Sequence, residues 1–130
     1  MSEIKLGIIG GGQLGSMLSN AAQKLNVKTV IYCDDLNAPA KNFCDEFICG
    51  KYDEKEKINE FIEKVDVATY EFENIPFETL NEINKTKPVL PKPSINRLIQ
   101  HRLAEKDFVN KLNIRTCLLY TSDAADDMQC

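Results

Sequence analysis

Gly10-Gly11-Gly12-Gln13-Leu14-Gly15 fits the spacing G-x-G-x-x-G. Glycines there permit a tight turn and let a ligand approach the backbone, and a helix opening at that point offers free N–H groups to an anion. Asp34 lies 19 residues beyond Gly15, near the place where dinucleotide-binding folds keep an acid for the ribose. Taken alone, these residues point to a nicotinamide dinucleotide; the alternative is a tight turn with no ligand. A second group is Tyr70-Glu71-Phe72-Glu73-Asn74. Strand alternation puts Glu71 and Glu73 on one side. Carboxylates there can accept hydrogen bonds from ribose hydroxyls or a ring amine, unless they are ordinary loop acids before a helix. The third group is Gln100-His101-Arg102. A guanidinium suits phosphate through paired donors, and Arg102 follows Ile95, Leu98 and Ile99 on one helical face, which would direct its head. The alternative is an arginine whose head lies in solvent. His101 reads as a surface residue, not an acid or base.

These groups need elements to hold them. Ile4–Ile9 is a short apolar run feeding the glycines, the pattern of a buried parallel strand. From Gln13 to Leu25 the residues Leu14, Met17, Leu18, Ala21, Ala22 and Leu25 recur at helical spacing and predict an amphipathic helix. Val27–Cys33 predicts a second strand, Phe47–Cys49 a short third, Glu54–Lys64 a helix and Asp66–Phe72 another strand. Asn74-Ile75-Pro76 opens a helix lined by Phe77, Leu80 and Ile83. Lys87–Pro93 is a proline-bounded strand or connector. Ser94 is placed to cap a helical stretch with Ile95, Leu98, Ile99 and Leu103, followed by a second helical run to Leu112. Alternating strands and helices predict βαβ units and an α/β fold, a doubly wound parallel sheet of four to five strands with a helical extension.

At 130 residues the chain is of single-domain size, with 43% hydrophobic and 28% charged residues, ordinary for a globular protein. Net charge is −4, which argues against non-specific nucleic-acid or acidic-membrane binding. No apolar run approaches the ~18 residues of a membrane helix, and the early glycines spoil a signal-peptide core, so a cytoplasmic location is expected. The charge is uneven. Residues 1–84 hold eight lysines against 15 acidic residues, whereas residues 85–115 hold eight basic residues against two acidic ones. Such a basic stretch could steer an anionic ligand or simply form a solvated helix face. Five cysteines without a CxxC pair, and one histidine, give little support to a metal cluster and suggest free, mostly buried thiols.

Together, GGGQLG at 10–15, YEFEN at 70–74, the Asn37-Ala38-Pro39-Ala40 segment and QHR followed by Glu105-Lys106 resemble the N-terminal part of 5-(carboxyamino)imidazole ribonucleotide synthase, an ATP-grasp ligase of purine biosynthesis. The resemblance covers about residues 4–116. It implies a Rossmann-like domain over 1–93 that precedes an ATP-grasp module, and a short helical start of that module over 94–116. It also implies carboxylation of 5-aminoimidazole ribonucleotide with bicarbonate, dependent on ATP and Mg²⁺, and a homodimer at full length. By the same resemblance the glycine loop serves the ribonucleotide and not NAD. Gly12, Gln13 and Leu14 would sit at the substrate, Glu73 would bind its ribose or aminoimidazole part, and Arg102 would contact ATP.

The chain departs from that family's pattern at three places. Ser16 stands where arginine is common, and His101 stands beside Arg102 in place of aspartate. After Thr116 the family runs on towards the ATP-grasp domain. Here residues 117–130 resemble translated sequencing-adapter read-through and read as a non-native tail. The glycine-rich lid, the phosphate-binding lysine and the Mg²⁺ carboxylates would lie beyond these residues, so the expectation is no catalytic residue, no metal ligand and an incomplete enzyme. Two other readings stand beside this one. They are a stand-alone NAD-binding module and a fragment of formate-dependent glycinamide ribonucleotide transformylase, which favours Gly-Glu-Leu-Gly over the Gly-Gln-Leu-Gly present here.

Overall fold

The computed structural model describes residues 3–71 and 74–117. Strands β1 (Lys5–Ile9), β2 (Lys28–Cys33), β3 (Glu46–Cys49) and β4 (Val67–Tyr70) form one sheet in the order β3-β2-β1-β4, with every pair parallel. Helices α1 (Gln13–Lys24) and α2 (Lys55–Lys64) and the 3-10 turn Pro39–Asn42 fill the crossovers. Helices α3 (Phe77–Asn84), α4 (Pro93–Gln100) and α5 (Arg102–Lys111) follow β4. The expected α/β class and parallel sheet are present. A possible fifth strand reduces to one parallel bridge, Ala68 to Val89, because prolines at 88, 91 and 93 remove the donors that a ladder needs.

Strand alternation divides the core. In register across the sheet, Ile8, Ile31 and Phe47 face one side and Ile9, Tyr32 and Ile48 the other. The first set packs with Cys33, Ala38 and Ala40. The second packs with Ile58, Phe61, Ile62 and Val65 around α2 and with Leu80 and Ile83 of α3. Gly7 makes room for this side: a Cβ there would lie 2.5 Å from Phe61 Cζ and 2.8 Å from Val65 Cγ1.

Two helices turn differently from their apolar patterns. In α1 the buried residues are Gly15, Ser19 and Ala22, whereas Leu14 (61% exposed), Met17 (60%) and Leu25 lie in solvent. The helical period is right and its phase is not, because the N-terminus of α1 is held against the turn at Gly10 and only small residues fit between helix and sheet. In α4 the buried residues are Pro93 and Asn96, while Ile95 and Ile99 are exposed. This helix starts at Pro93, with Lys92 and not Ser94 in the cap position, and stops at Gln100. Leu103 therefore belongs to α5, which buries no residue. Phe72, at the predicted end of β4, and residues 118–130 of the expected tail lie outside the described residues.

Free thiols hold for Cys33, Cys44 and Cys49, but Cys117 is disulfide-bonded. Among the described residues no helix is long and apolar enough to cross a membrane.

Two outcomes are expected from this core. Phe61→Ala empties the space over Gly7 and should cost about 3–5 kcal/mol in urea unfolding, a large share of a small domain's stability. Tyr32 is fully buried, donates its O–H to the Lys51 carbonyl at 2.5 Å, and has its pKa pushed up to about 12, first by burial and then by the nearby Glu54 charge. The unfolded chain releases that proton near pH 10 and the folded chain holds it to about 12. Tyr32's contribution is therefore complete below pH 10 and is lost as pH rises through that window. The urea midpoint should fall across it, with a shallower fall in Tyr32→Phe.

Candidate functional site

The C-terminal ends of β1 and β4 meet where open parallel sheets hold ligands. β1 runs into Gly10, whose N–H donates to the Tyr32 carbonyl at 2.8 Å and whose φ of +117° suits glycine alone. Beside it, the Glu71 N–H donates to the Ile9 carbonyl at 3.1 Å, extending β4 by one residue. This places the Glu71 side chain under the first turn of α1. Its Oε1 accepts from the Gly12 N–H at 2.7 Å and its Oε2 from the Gly15 N–H at 2.5 Å. The carboxylate thus caps α1 from a distant strand, while Gly12, the N-cap residue, supplies no side-chain cap.

The glycines are shaped around this side chain. A Cβ on Gly10 would collide with Glu71 Cγ, and one on Gly12 would sit 2.8 Å from Glu71 Oε1. Behind the loop, the Ala40 N–H donates to the Gly11 carbonyl at 2.9 Å, and a Cβ on Gly11 would lie 2.6 Å from Ala38 Cβ. The Asn37–Ala40 segment is therefore a wall that fixes the loop. Cys33 closes the same wall, and burial raises its thiol pKa, which keeps it protonated and unreactive at neutral pH.

Of the predicted residues, Gly12, Gln13 and Leu14 are consecutive at this edge. Gln13 and Leu14 are exposed, and no acceptor among the described residues takes their N–H groups. Glu73 lies outside the described residues, between Glu71 and the exposed Asn74. Downstream in sequence, the Ile75 carbonyl accepts from Asn96 Nδ2 at 3.3 Å and from Gln100 Nε2 at 2.6 Å. Asn96 and Gln100 stand one turn apart on α4, so Gln100 has a positioning role. Asp34 is exposed at the end of β2.

Arg102 is not brought to the loop by any contact among the described residues. It opens α5, is exposed, and pairs with Glu105 (Nη1 to Oε2, 3.6 Å). The shared helical face with Ile95, Leu98 and Ile99 does not exist, because the helix breaks at His101, whose backbone is extended. His101 caps α5 through Nδ1, which accepts from the Ala104 N–H at 3.2 Å. Elsewhere in the basic stretch, Arg97 lies over the Phe77 ring at 4.9 Å and Lys85 pairs with Glu82. Part of that charge is therefore spent locally.

A cavity of about 470 Å³ opens on the opposite side of the sheet, between α2 and α3, and includes none of the predicted site residues. Among the described residues no group of three or more His, Cys, Asp or Glu side chains is placed to hold a metal.

Residues 3–100 match the ribonucleotide synthetase preATP-grasp domain. The chain belongs to this family. It is 39% identical over 111 residues to the N5-carboxyaminoimidazole ribonucleotide synthase of Brucella melitensis, an alignment covering 85% of this chain and 31% of that protein. The synthase of Staphylococcus haemolyticus is 41% identical over 106 residues, covering 82% and 28%. Among solved structures, the N5-carboxyaminoimidazole ribonucleotide synthetase of Thermus thermophilus superposes with a TM-score of 0.85 at 31% identity, over 95% of this chain and 34% of that one. The Aspergillus clavatus synthase, in complex with ADP and 5-aminoimidazole ribonucleotide, gives 0.79 at 30% identity, over 89% and 31%. The chain spans about a third of the length of these relatives.

Gly15 tests the packing of this preATP-grasp loop. An alanine Cβ would lie 2.8 Å from the Gly10 carbonyl oxygen and 3.2 Å from Glu71 Oε2. Replacing a helical glycine with alanine ordinarily gains up to about 1 kcal/mol. Here the sign should reverse, with a loss of about 1–3 kcal/mol in urea unfolding.

Proposed function

We propose that this chain is the ribonucleotide-binding portion of an N5-carboxyaminoimidazole ribonucleotide synthase. In this reading, residues 1–93 form the domain before the ATP-grasp module and residues 94–116 begin that module. The complete enzyme would carboxylate the exocyclic amine of 5-aminoimidazole ribonucleotide with bicarbonate and ATP.

One observation carries the reading. The glycine loop of a family shared with these synthases lies at the C-terminal edge of the parallel sheet, and no acceptor among the described residues takes the Gln13 and Leu14 amides. Those N–H groups suit oxygen acceptors on a ribonucleotide, with Gly12 setting their orientation. Glu73, two residues beyond Glu71 on the same loop, is the carboxylate assigned to the substrate's hydroxyl or amine donors. Arg102, at the start of α5, is assigned to ATP. Its pairing with Glu105 is solvent-exposed and of little energetic weight, so a phosphate can replace it. Mg²⁺ and the phosphoryl-transfer residues are assigned to the part of the relatives that this chain does not match.

Two measurements test this. Titration of the ¹⁵N-labelled chain with 5-aminoimidazole ribonucleotide should move the Gln13 and Leu14 amides in a saturable way, and NAD should leave them unmoved; the reverse pattern would favour a dinucleotide module. In an enzyme completed to the length of its relatives, Glu73→Ala should lower kcat/KM for this substrate by about 1–3 kcal/mol, the range for a charged hydrogen bond. An unchanged kcat/KM removes Glu73 from the site.

A further inference from the structure

The G-x-G-x-x-G turn already contains an anion, and it is part of the protein. We infer that Glu71 is a specificity-determining residue: its carboxylate fills the amide cradle of the glycine loop, excludes nucleotide phosphate from Gly12 and Gly15, and leaves only the Gln13 and Leu14 amides for a ligand.

The geometry is that of an anion site with its occupant in place. Backbone N–H groups at a helix N-terminus favour a negatively charged oxygen pair. The two Glu71 oxygens take two such groups separately, Gly12 N–H at 2.7 Å and Gly15 N–H at 2.5 Å. The space that makes the loop look ready for a pyrophosphate is the space this side chain uses. A Cβ at Gly10, Gly12 or Gly15 would meet Glu71 atoms, with Glu71 Oε2 at 3.2 Å in the last case. Glycine is therefore required at these positions by an internal side chain, whether or not a ligand is bound. A phosphate entering here would have to displace a charge-assisted pair of hydrogen bonds and approach a carboxylate at contact distance. Gln13 and Leu14 are exposed, and no acceptor among the described residues takes their amides, so these remain for a ligand oxygen. The inference rests on loop geometry alone and does not depend on which ribonucleotide the chain binds.

The test uses the whole 130-residue chain, ¹⁵N-labelled and titrated with inorganic pyrophosphate at constant ionic strength. The wild-type Gly12 and Gly15 amide signals should stay in place. Glu71→Ala should bring saturable shifts at both amides, with pyrophosphate binding tightened by about tenfold or more, a gain of the size expected when one charged hydrogen-bond acceptor is replaced by another. Glu71→Gln keeps one acceptor oxygen and loses the charge, and should give a smaller gain at the same two amides. Saturable wild-type shifts at Gly12 and Gly15 would overturn the inference without any variant, as would a folded Glu71→Ala or Glu71→Gln that gains no pyrophosphate binding there.

Discussion

A single carboxylate joins the two halves of the ligand edge. Glu71 leaves the end of β4 and ends between the Gly12 and Gly15 N–H groups, so the last strand of the sheet and the first helix of the chain are tied at one point. The first four N–H groups of any helix lack intrahelical partners, and leaving them unpaired where water is scarce is costly. Here two of the four are satisfied from more than fifty residues away. That bond sets where α1 begins and which of its faces meets the sheet.

The rotation of α1 follows from this anchoring. Gly15 must sit against the Gly10 carbonyl for its N–H to reach Glu71, which turns Ser19 and Ala22 inward and leaves Leu14 and Met17 outside. Large apolar side chains on the inner face would hold the helix away from the sheet and break the cap. A similar trade appears on α4, where Asn96 is buried to tether the Ile75 carbonyl while isoleucines at 95 and 99 are exposed. In both helices a polar requirement of the backbone outweighs the average preference for burying the largest apolar residues, since an unpaired buried amide or carbonyl costs as much as a buried methylene group or two contributes.

The C-terminal edge of the sheet is therefore layered. The Asn37–Ala40 segment and Cys33 support the glycine loop from behind, Glu71 supports it from beneath, and Gln13 and Leu14 face outward. Beyond β4, the Ile75 carbonyl is held by the Asn96 and Gln100 side-chain amides. Residues 3–100, which hold all of these elements, are the part that matches the preATP-grasp family.

Much of this was legible in the chain itself. The βαβ order, the parallel sheet, the strand-to-helix glycine turn and the acidic run at the end of β4 are all local signals, because apolar alternation, helical period and turn glycines depend on neighbours a few residues apart. The combination of GGGQLG with YEFEN identified the family for the same reason. What only the tertiary structure decided are the facts that depend on distant partners. They include which face of α1 is inward, that α4 stops two residues before Arg102, and that His101 caps α5. They also include the place of Glu71, which points into the glycine loop as an internal ligand with one amide on each carboxylate oxygen. Period-two alternation could place Glu71 on a side of the strand, but it could not see the two amides waiting there, since they arrive from a helix whose position the sheet itself determines.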